Sequence, residues 1–121
     1  MQIHRAMLFV SDLAGMTAFY RDVLGLTPAA GGGDGTCTEF DAGACRFALH
    51  AIPPHLAGSA TAVPPAPREA NPWRIDFMVA DVAAERRRLE ALGVRLLVRP
   101  WGACDVVDPE GNVIRLVDQA A

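Results

Sequence analysis

Two stretches of the chain repeat one pattern of apolar and polar positions. The first reads Met7-Leu-Phe-Val-Ser-Asp12-Leu and resumes at Val23-Leu24-Gly25-Leu26; the second reads Phe77-Met-Val-Ala80-Asp81-Val and resumes at Ala91-Leu92-Gly93-Val94. Each predicts an apolar strand, a helix opened by aspartate and a glycine that closes it. Asp12 and Asp81 stand where a carboxylate accepts from the free amides of a first helical turn. Gly25 and Gly93 stand where the left-handed residue after a helix is needed. In the first helix Met16, Phe19, Tyr20, Val23 and Leu24 recur at spacings of three and four and form one apolar stripe. The second helix is more polar. Val82, Leu89 and Leu92 are expected to face in, and Glu85, Arg86, Arg87 and Arg88 to form a solvated face.

Shorter strand-like runs follow each helix. After the first come 36–40 and 44–51, joined by Asp41-Ala-Gly43. After the second come 94–99, 103–107 and 112–117, the last two joined by Asp108-Pro-Glu-Gly111. Both joints carry hairpin turn chemistry. The order strand, helix, strands therefore occurs twice, with the two aspartates 69 residues apart. Two copies at that spacing suit a duplicated half-barrel better than a solenoid. The expected fold is α+β: one domain over 1–121, with module one at 1–51, a linker at 52–72 and module two at 73–121. The linker holds six of the nine prolines, which favours extended backbone.

Strand parity assigns the side chains, because successive residues point to opposite faces. Ala6, Leu8 and Val10 form one set of the first strand; Arg5, Met7 and Phe9 form the other. Ile75, Phe77 and Val79 alternate with Arg74, Asp76 and Met78. Cys45, Phe47 and Leu49 alternate with Arg46, Ala48 and His50, and Ile114 and Leu116 with Val113, Arg115 and Val117. The wholly apolar sets should pack on the helices. The mixed sets carry Arg5, Arg46, Arg74 and Arg115, with His50 and Asp76, onto the other face.

Composition narrows the function. A hydrophobic content of 51% in 121 residues supports a packed core. The net charge of −3 gives no basic field to draw nucleic acid or an acidic membrane. The apolar run 6–10 is too short for a leader or a membrane span. Three cysteines, Cys37, Cys45 and Cys104, include no CxxC pair and read as reduced thiols, so a cytoplasmic location is expected.

The chain resembles the vicinal oxygen chelate superfamily, which holds glyoxalase I, extradiol dioxygenases and bleomycin-resistance proteins. The resemblance is carried by Ala18-Phe-Tyr-Arg-Asp-Val-Leu-Gly-Leu26 after the first strand, and by Pro100-Trp-Gly with Asp108-Pro-Glu-Gly-Asn-Val-Ile-Arg-Leu116. It implies two βαβββ modules whose mixed sheets curve around a cavity, often completed by a second subunit, hence a homodimer. It also implies that Arg5, Ala48, Arg74 and Arg115 occupy the positions where metal-dependent members hold His, Gln or Glu ligands. A guanidinium stays protonated and has no lone pair to give a cation. No metal and no other cofactor is therefore expected.

Buried guanidinium groups need carboxylates, water or an anionic ligand. Glu39, Asp76 and Asp105 lie on candidate strands and offer internal pairing. Arg also offers bidentate geometry to planar oxyanions, so a small anionic ligand is the alternative. Met7, Phe9, Met78 and Trp101 would give that ligand an apolar body to meet. The expectation is a metal-independent small-molecule binding protein of the glyoxalase and bleomycin-resistance type, with Arg5, Met7, Phe9, Arg46, Arg74, Asp76, Trp101 and Arg115 as ligand-binding residues. The alternatives are a lyase, isomerase or dioxygenase using His50 as base, and a non-catalytic interaction subunit. A metal site built from His50 and Asp76 with Glu39 or Asp105 is a further option; His4 lies one residue from an implied ligand position but parity turns it toward the helix face or the rim, and His55 in the proline-rich segment carries no signal.

Overall fold

The computed structural model describes residues 1–30, 35–56 and 65–119. The chain divides into two compact units, Met1–Thr61 and Ala62–Ala121. The part of the expected linker at 57–64 lies outside the described residues.

Unit one holds β1 (Arg5–Val10), α1 (Leu13–Ala18), a π-helical turn (Phe19–Val23), β2 (Thr27–Pro28), β3 (Cys37–Ala42), β4 (Cys45–Ala51) and a 3₁₀ turn (Pro54–Leu56). Its sheet runs β1-β4-β3-β2, with β1 parallel to β4 and the other pairs antiparallel. The Asp12 carboxylate accepts from the Gly15 amide at 3.0 Å and caps α1. The expected single helix is not regular. After Ala18 it widens, and the Leu24 amide bonds the Phe19 carbonyl at 3.0 Å. Phe19 and Tyr20, adjacent in sequence, are thereby both buried, with rings edge to face at 5.4 Å. Tyr20 meets Phe47 at 5.1 Å, and Phe47 stacks on Phe40. With Val10, Met16 and Leu49 they form this unit's core. The β3–β4 hairpin turns through Gly43, whose φ of 80° suits the first central position of a two-residue turn.

Unit two holds β5 (Asp76–Val79), α2 (Val82–Ala91), β6 (Leu96–Leu97), β7 (Cys104–Val107) and β8 (Val113–Asp118). Its sheet runs β5-β8-β7-β6 with the same pattern of one parallel and two antiparallel pairings. Two carboxylates cap α2: Asp81 accepts from the Ala84 amide at 3.0 Å and Asp118 from the Val82 amide at 2.8 Å. Leu89, Cys104, Val106, Ile114 and Leu116 are the buried apolar residues beneath it. Leu92, expected to face in, is 59% exposed. It is the residue that caps the helix C-terminus, where the chain is already turning into Gly93. The expected strand at 94–99 pairs only through Leu96 and Leu97.

The turn from β7 to β8 is internally tied. Asp108 is buried and accepts from the amides of Glu110 and Asn112 at 2.9 Å and from the Asn112 side-chain amide at 2.8 Å. Residues of the proline-rich segment lie over it: the Arg68 amide donates to the Gly111 carbonyl at 2.8 Å, and Arg95 Nη2 to the Pro65 carbonyl at 2.8 Å. Gly111 has φ 87°, and a Cβ there would stand 2.7 Å from the Ala66 carbonyl oxygen. Gly111→Ala therefore meets both a strained backbone and a main-chain clash. A loss of about 2 kcal/mol is expected, read as a lower midpoint in urea.

Candidate functional site

Each sheet has one face packed on its helix and an opposite face carrying most of the chain's charged strand residues. On unit one the register sets three cross-strand rows on that opposite face. Arg5, Arg46 and Asp41 form the first, Met7, Ala48 and Glu39 the second, and Phe9, His50 and Cys37 the third. Glu39 is the hub of the charged end. Arg5 Nη1 donates to Glu39 Oε1, and Arg46 approaches Glu39 at 3.6 Å and Asp41 at 3.7 Å. The hydrogen bond from Arg5 holds the Glu39 carboxyl below the usual range, against the opposing effect of burial. At the other end Phe9 is exposed and tilts against the His50 ring at 5.4 Å.

On unit two, Asp76 pairs with Arg115 across β5 and β8, and Arg115 with Asp105 across β8 and β7. Asp105 is 1% exposed. It accepts from Arg115 Nε at 2.6 Å and Nη2 at 3.0 Å, and from Arg99 Nε at 2.7 Å. The Arg115 hydrogen bond, helped by Arg99, keeps this carboxyl below the usual range although burial pushes the other way. Arg99 also pairs with Glu69 at 2.6 Å, and its guanidinium lies 5.7 Å from the centre of the Trp101 ring. Arg74 grips Asp76 with two bonds, Nε to Oδ1 at 2.6 Å and Nη2 to Oδ2 at 3.0 Å.

Parity therefore placed Arg5, Met7, Phe9, Arg46 and His50 together on unit one, and Arg74, Asp76 and Arg115 together on unit two, with exposed Trp101 joined to them through Arg99. All four expected arginines are ion-paired with carboxylates of their own unit. Four participants were not among the expected site residues: Arg99, Glu69, Cys37 and Asp41. Parity carried a signal for three of them. Cys37 and Asp41 share the parity of Glu39 in β3, and Arg99 continues that of Leu97, which pairs with Asp105. Glu69 lies in the proline-rich segment, where no periodicity speaks.

The implied metal positions hold three guanidinium groups and the methyl group of Ala48, which is fully buried. None offers a lone pair to a cation, so these residues do not fit the chelate site of metal-dependent relatives. Among the described residues no three His, Cys, Asp or Glu side chains cluster as a metal site. Nor is any helix among them long and apolar enough to cross a membrane.

Comparison with known proteins agrees with this architecture. Lactoylglutathione lyase from Agrobacterium tumefaciens is similar at 27% identity and a TM-score of 0.67, covering 98% of this chain and 93% of that one. A protein of unknown function from A. tumefaciens is similar at 26% identity and a TM-score of 0.73, covering 99% and 95%. An integron cassette protein from the mobile metagenome of V. cholerae, at 21% identity and a TM-score of 0.70 over 99% and 96%, shares the fold. No curated protein matches the chain. The glyoxalase-like domain matches residues 5–117, and the chain, with its paired βαβββ units, belongs to that family and so to the vicinal oxygen chelate superfamily.

Proposed function

We propose that this chain is a metal-independent small-molecule binding protein, acting as a homodimer, whose ligand carries an anionic group and an apolar body. One observation supports it above the rest: three of the four positions implied as metal ligands hold guanidinium groups already fixed by carboxylates. The unit-two face is the best-equipped surface. Arg74 and Arg115 each commit Nε and Nη2 to an aspartate, which leaves Nη1 able to donate to a ligand oxygen. Their side chains are 41% and 20% exposed. Exposed Met78 and Trp101 supply apolar surface on the same unit.

The carboxylate partners change what such a site selects. Arg74, Arg99 and Arg115 are balanced together by Asp76, Asp105 and Glu69, so the anion gains directed hydrogen bonds rather than the pull of a net positive charge. Planar carboxylates with an aromatic or aliphatic body suit this arrangement better than small, densely charged ions. The enzymatic alternative, with His50 as base beside a carboxylate, is less favoured, because Glu39 on the same face is held by Arg5.

Thermal-shift titration with aromatic and aliphatic carboxylates and with inorganic phosphate tests the reading, alongside metal analysis of the purified protein. A carboxylate should raise the melting temperature of the wild type and not that of Arg74→Ala. Stoichiometric metal in the purified protein, or no stabilisation by any anion, overturns it.

A further inference from the structure

Arginines and carboxylates alternate along the unit-two face: Arg74 with Asp76, Arg115 and Arg99 with Asp105, and Arg99 again with Glu69. Two of the carboxylates stand on strands, Asp76 in β5 and Asp105 in β7. Asp105 is buried under bonds from both Arg115 and Arg99, and Asp76 takes two from Arg74. Glu69 differs from both. It comes from the proline-rich segment, its side chain is 55% exposed, and Arg99 Nη1 at 2.6 Å is its one side-chain partner among the described residues.

The backbone around Glu69 is anchored independently of that pair. The Arg68 amide donates to the Gly111 carbonyl, Arg95 Nη2 to the Pro65 carbonyl, and the Glu69 amide to the Pro67 carbonyl at 3.1 Å. Rotation of the Glu69 side chain is therefore enough to uncover Arg99 Nη1, and no main-chain bond has to break. Arg99 itself stays in place, because its Nε remains on Asp105 at 2.7 Å. Its guanidinium lies 5.7 Å from the centre of the Trp101 ring, and that ring is exposed. A carboxylate seated on Nη1 would have an aromatic surface within reach of the body it carries.

We propose that Glu69 is a built-in competitor at the anion site: its carboxylate holds Arg99 in the free chain, and the carboxylate of an aromatic acid displaces it and sets its own ring against Trp101. The proposal rests on the reading of the unit-two face as an anion-binding surface, and names the group that a ligand must outcompete there. The exchange trades one carboxylate for another, so the charge balance of the cluster survives it. A neutral ligand of the same shape would leave Arg99 short of one carboxylate and gains nothing from the displacement. A partly exposed ion pair leaves the uncovered state populated at about one part in five, and apparent affinity falls by the same factor.

The chain has two tryptophans, Trp73 and Trp101. Trp73 is exposed, and in a Trp73→Phe background the emission reports on Trp101 alone. Titrating that protein with benzoate, with and without Glu69→Gln, reads affinity and place together, with circular dichroism confirming the fold. Benzoate should change the Trp101 emission in both proteins and bind about fivefold tighter after Glu69→Gln. Benzamide, which lacks the charge, should bind no better. Glu90→Gln removes an exposed carboxylate from α2 of the same unit and should leave benzoate affinity unchanged.

No gain in Glu69→Gln, an equal gain in Glu90→Gln, or an equal gain with benzamide overturns the proposal. It and the reading beneath it fail differently. If benzoate stabilises the wild type through Arg74 and Glu69→Gln binds it no better, the anion site stands and the competitor does not. If benzoate binds neither protein, both are overturned.

Discussion

Replacing Asp105 with alanine is expected to cost about 3–5 kcal/mol of folding stability, the range for stripping one partner from a buried ion network. The loss comes less from the missing bonds than from what remains. Arg115 and Arg99, with side chains 20% and 18% exposed, would keep their charges without the carboxylate that holds both. The energy of the intact network is smaller than this figure, because forming it required drying three charged groups. Urea denaturation of wild type and variant measures the difference through the shift in midpoint at constant slope. The same carboxyl gives stability a pH dependence of known sign. Its pKa is lower folded than unfolded, mainly through the Arg115 hydrogen bond. Its contribution is complete above the unfolded value, near pH 4, and is lost as pH falls through the folded value. Asp105→Ala should therefore show a flatter acid limb than the wild type.

Phe47→Ala is the second large effect, at about 3–5 kcal/mol. The ring is 2% exposed and sits between Tyr20 from the π-helical turn and Phe40 from β3. Neighbours that belong to a sheet and to an irregular helix cannot close the gap together, so most of the cavity should persist. Phe47→Leu, which keeps much of the volume, should lose less than half as much. Near-ultraviolet circular dichroism of the aromatic cluster, with denaturation midpoints for the pair, checks both statements.

Much of the architecture could be read before any coordinate was known, because two physical periods dominate the chain. Alternation by two fixed the faces of β1, β4, β5 and β8, and it separated Phe47 and Leu49 from Arg46 and His50 correctly. The Asp-to-Gly spacing announced both helices and their caps. Other features lay beyond such patterns. A π-helical turn depends on two adjacent aromatic rings both finding the core, which an average period of 3.6 does not register. Strand β2 has two residues, one of them Pro28, too short for any alternation to show. Leu92 misled because an apolar residue at a helix end is turned by the cap rather than by the stripe.

The site was legible in part. Parity gathered the arginines, yet it could not decide what they met. Arg74 and Asp76, two apart in one strand, were the easy pair to foresee. The bond from Arg115 to Asp105 spans two strands whose register had to be known first, and Arg99 reaches the same carboxylate from beyond the end of β6. Long side chains choose partners by reach and competition. The same limit hid the facing of Cys37 and His50, which only the β3–β4 register reveals.

In both units the parallel pairing joins the first strand to the last: β1 to β4, and β5 to β8. During synthesis, the opening strand of each unit emerges from the ribosome with its neighbour still unwritten. The nascent chain must carry Leu8 and Val10, and later Phe77 and Val79, past the exit tunnel for about 2–8 s at ordinary elongation rates before a partner strand exists. Unit one reaches that point while most of unit two is still untranslated, so the ribosome itself sets the order in which the two sheets close.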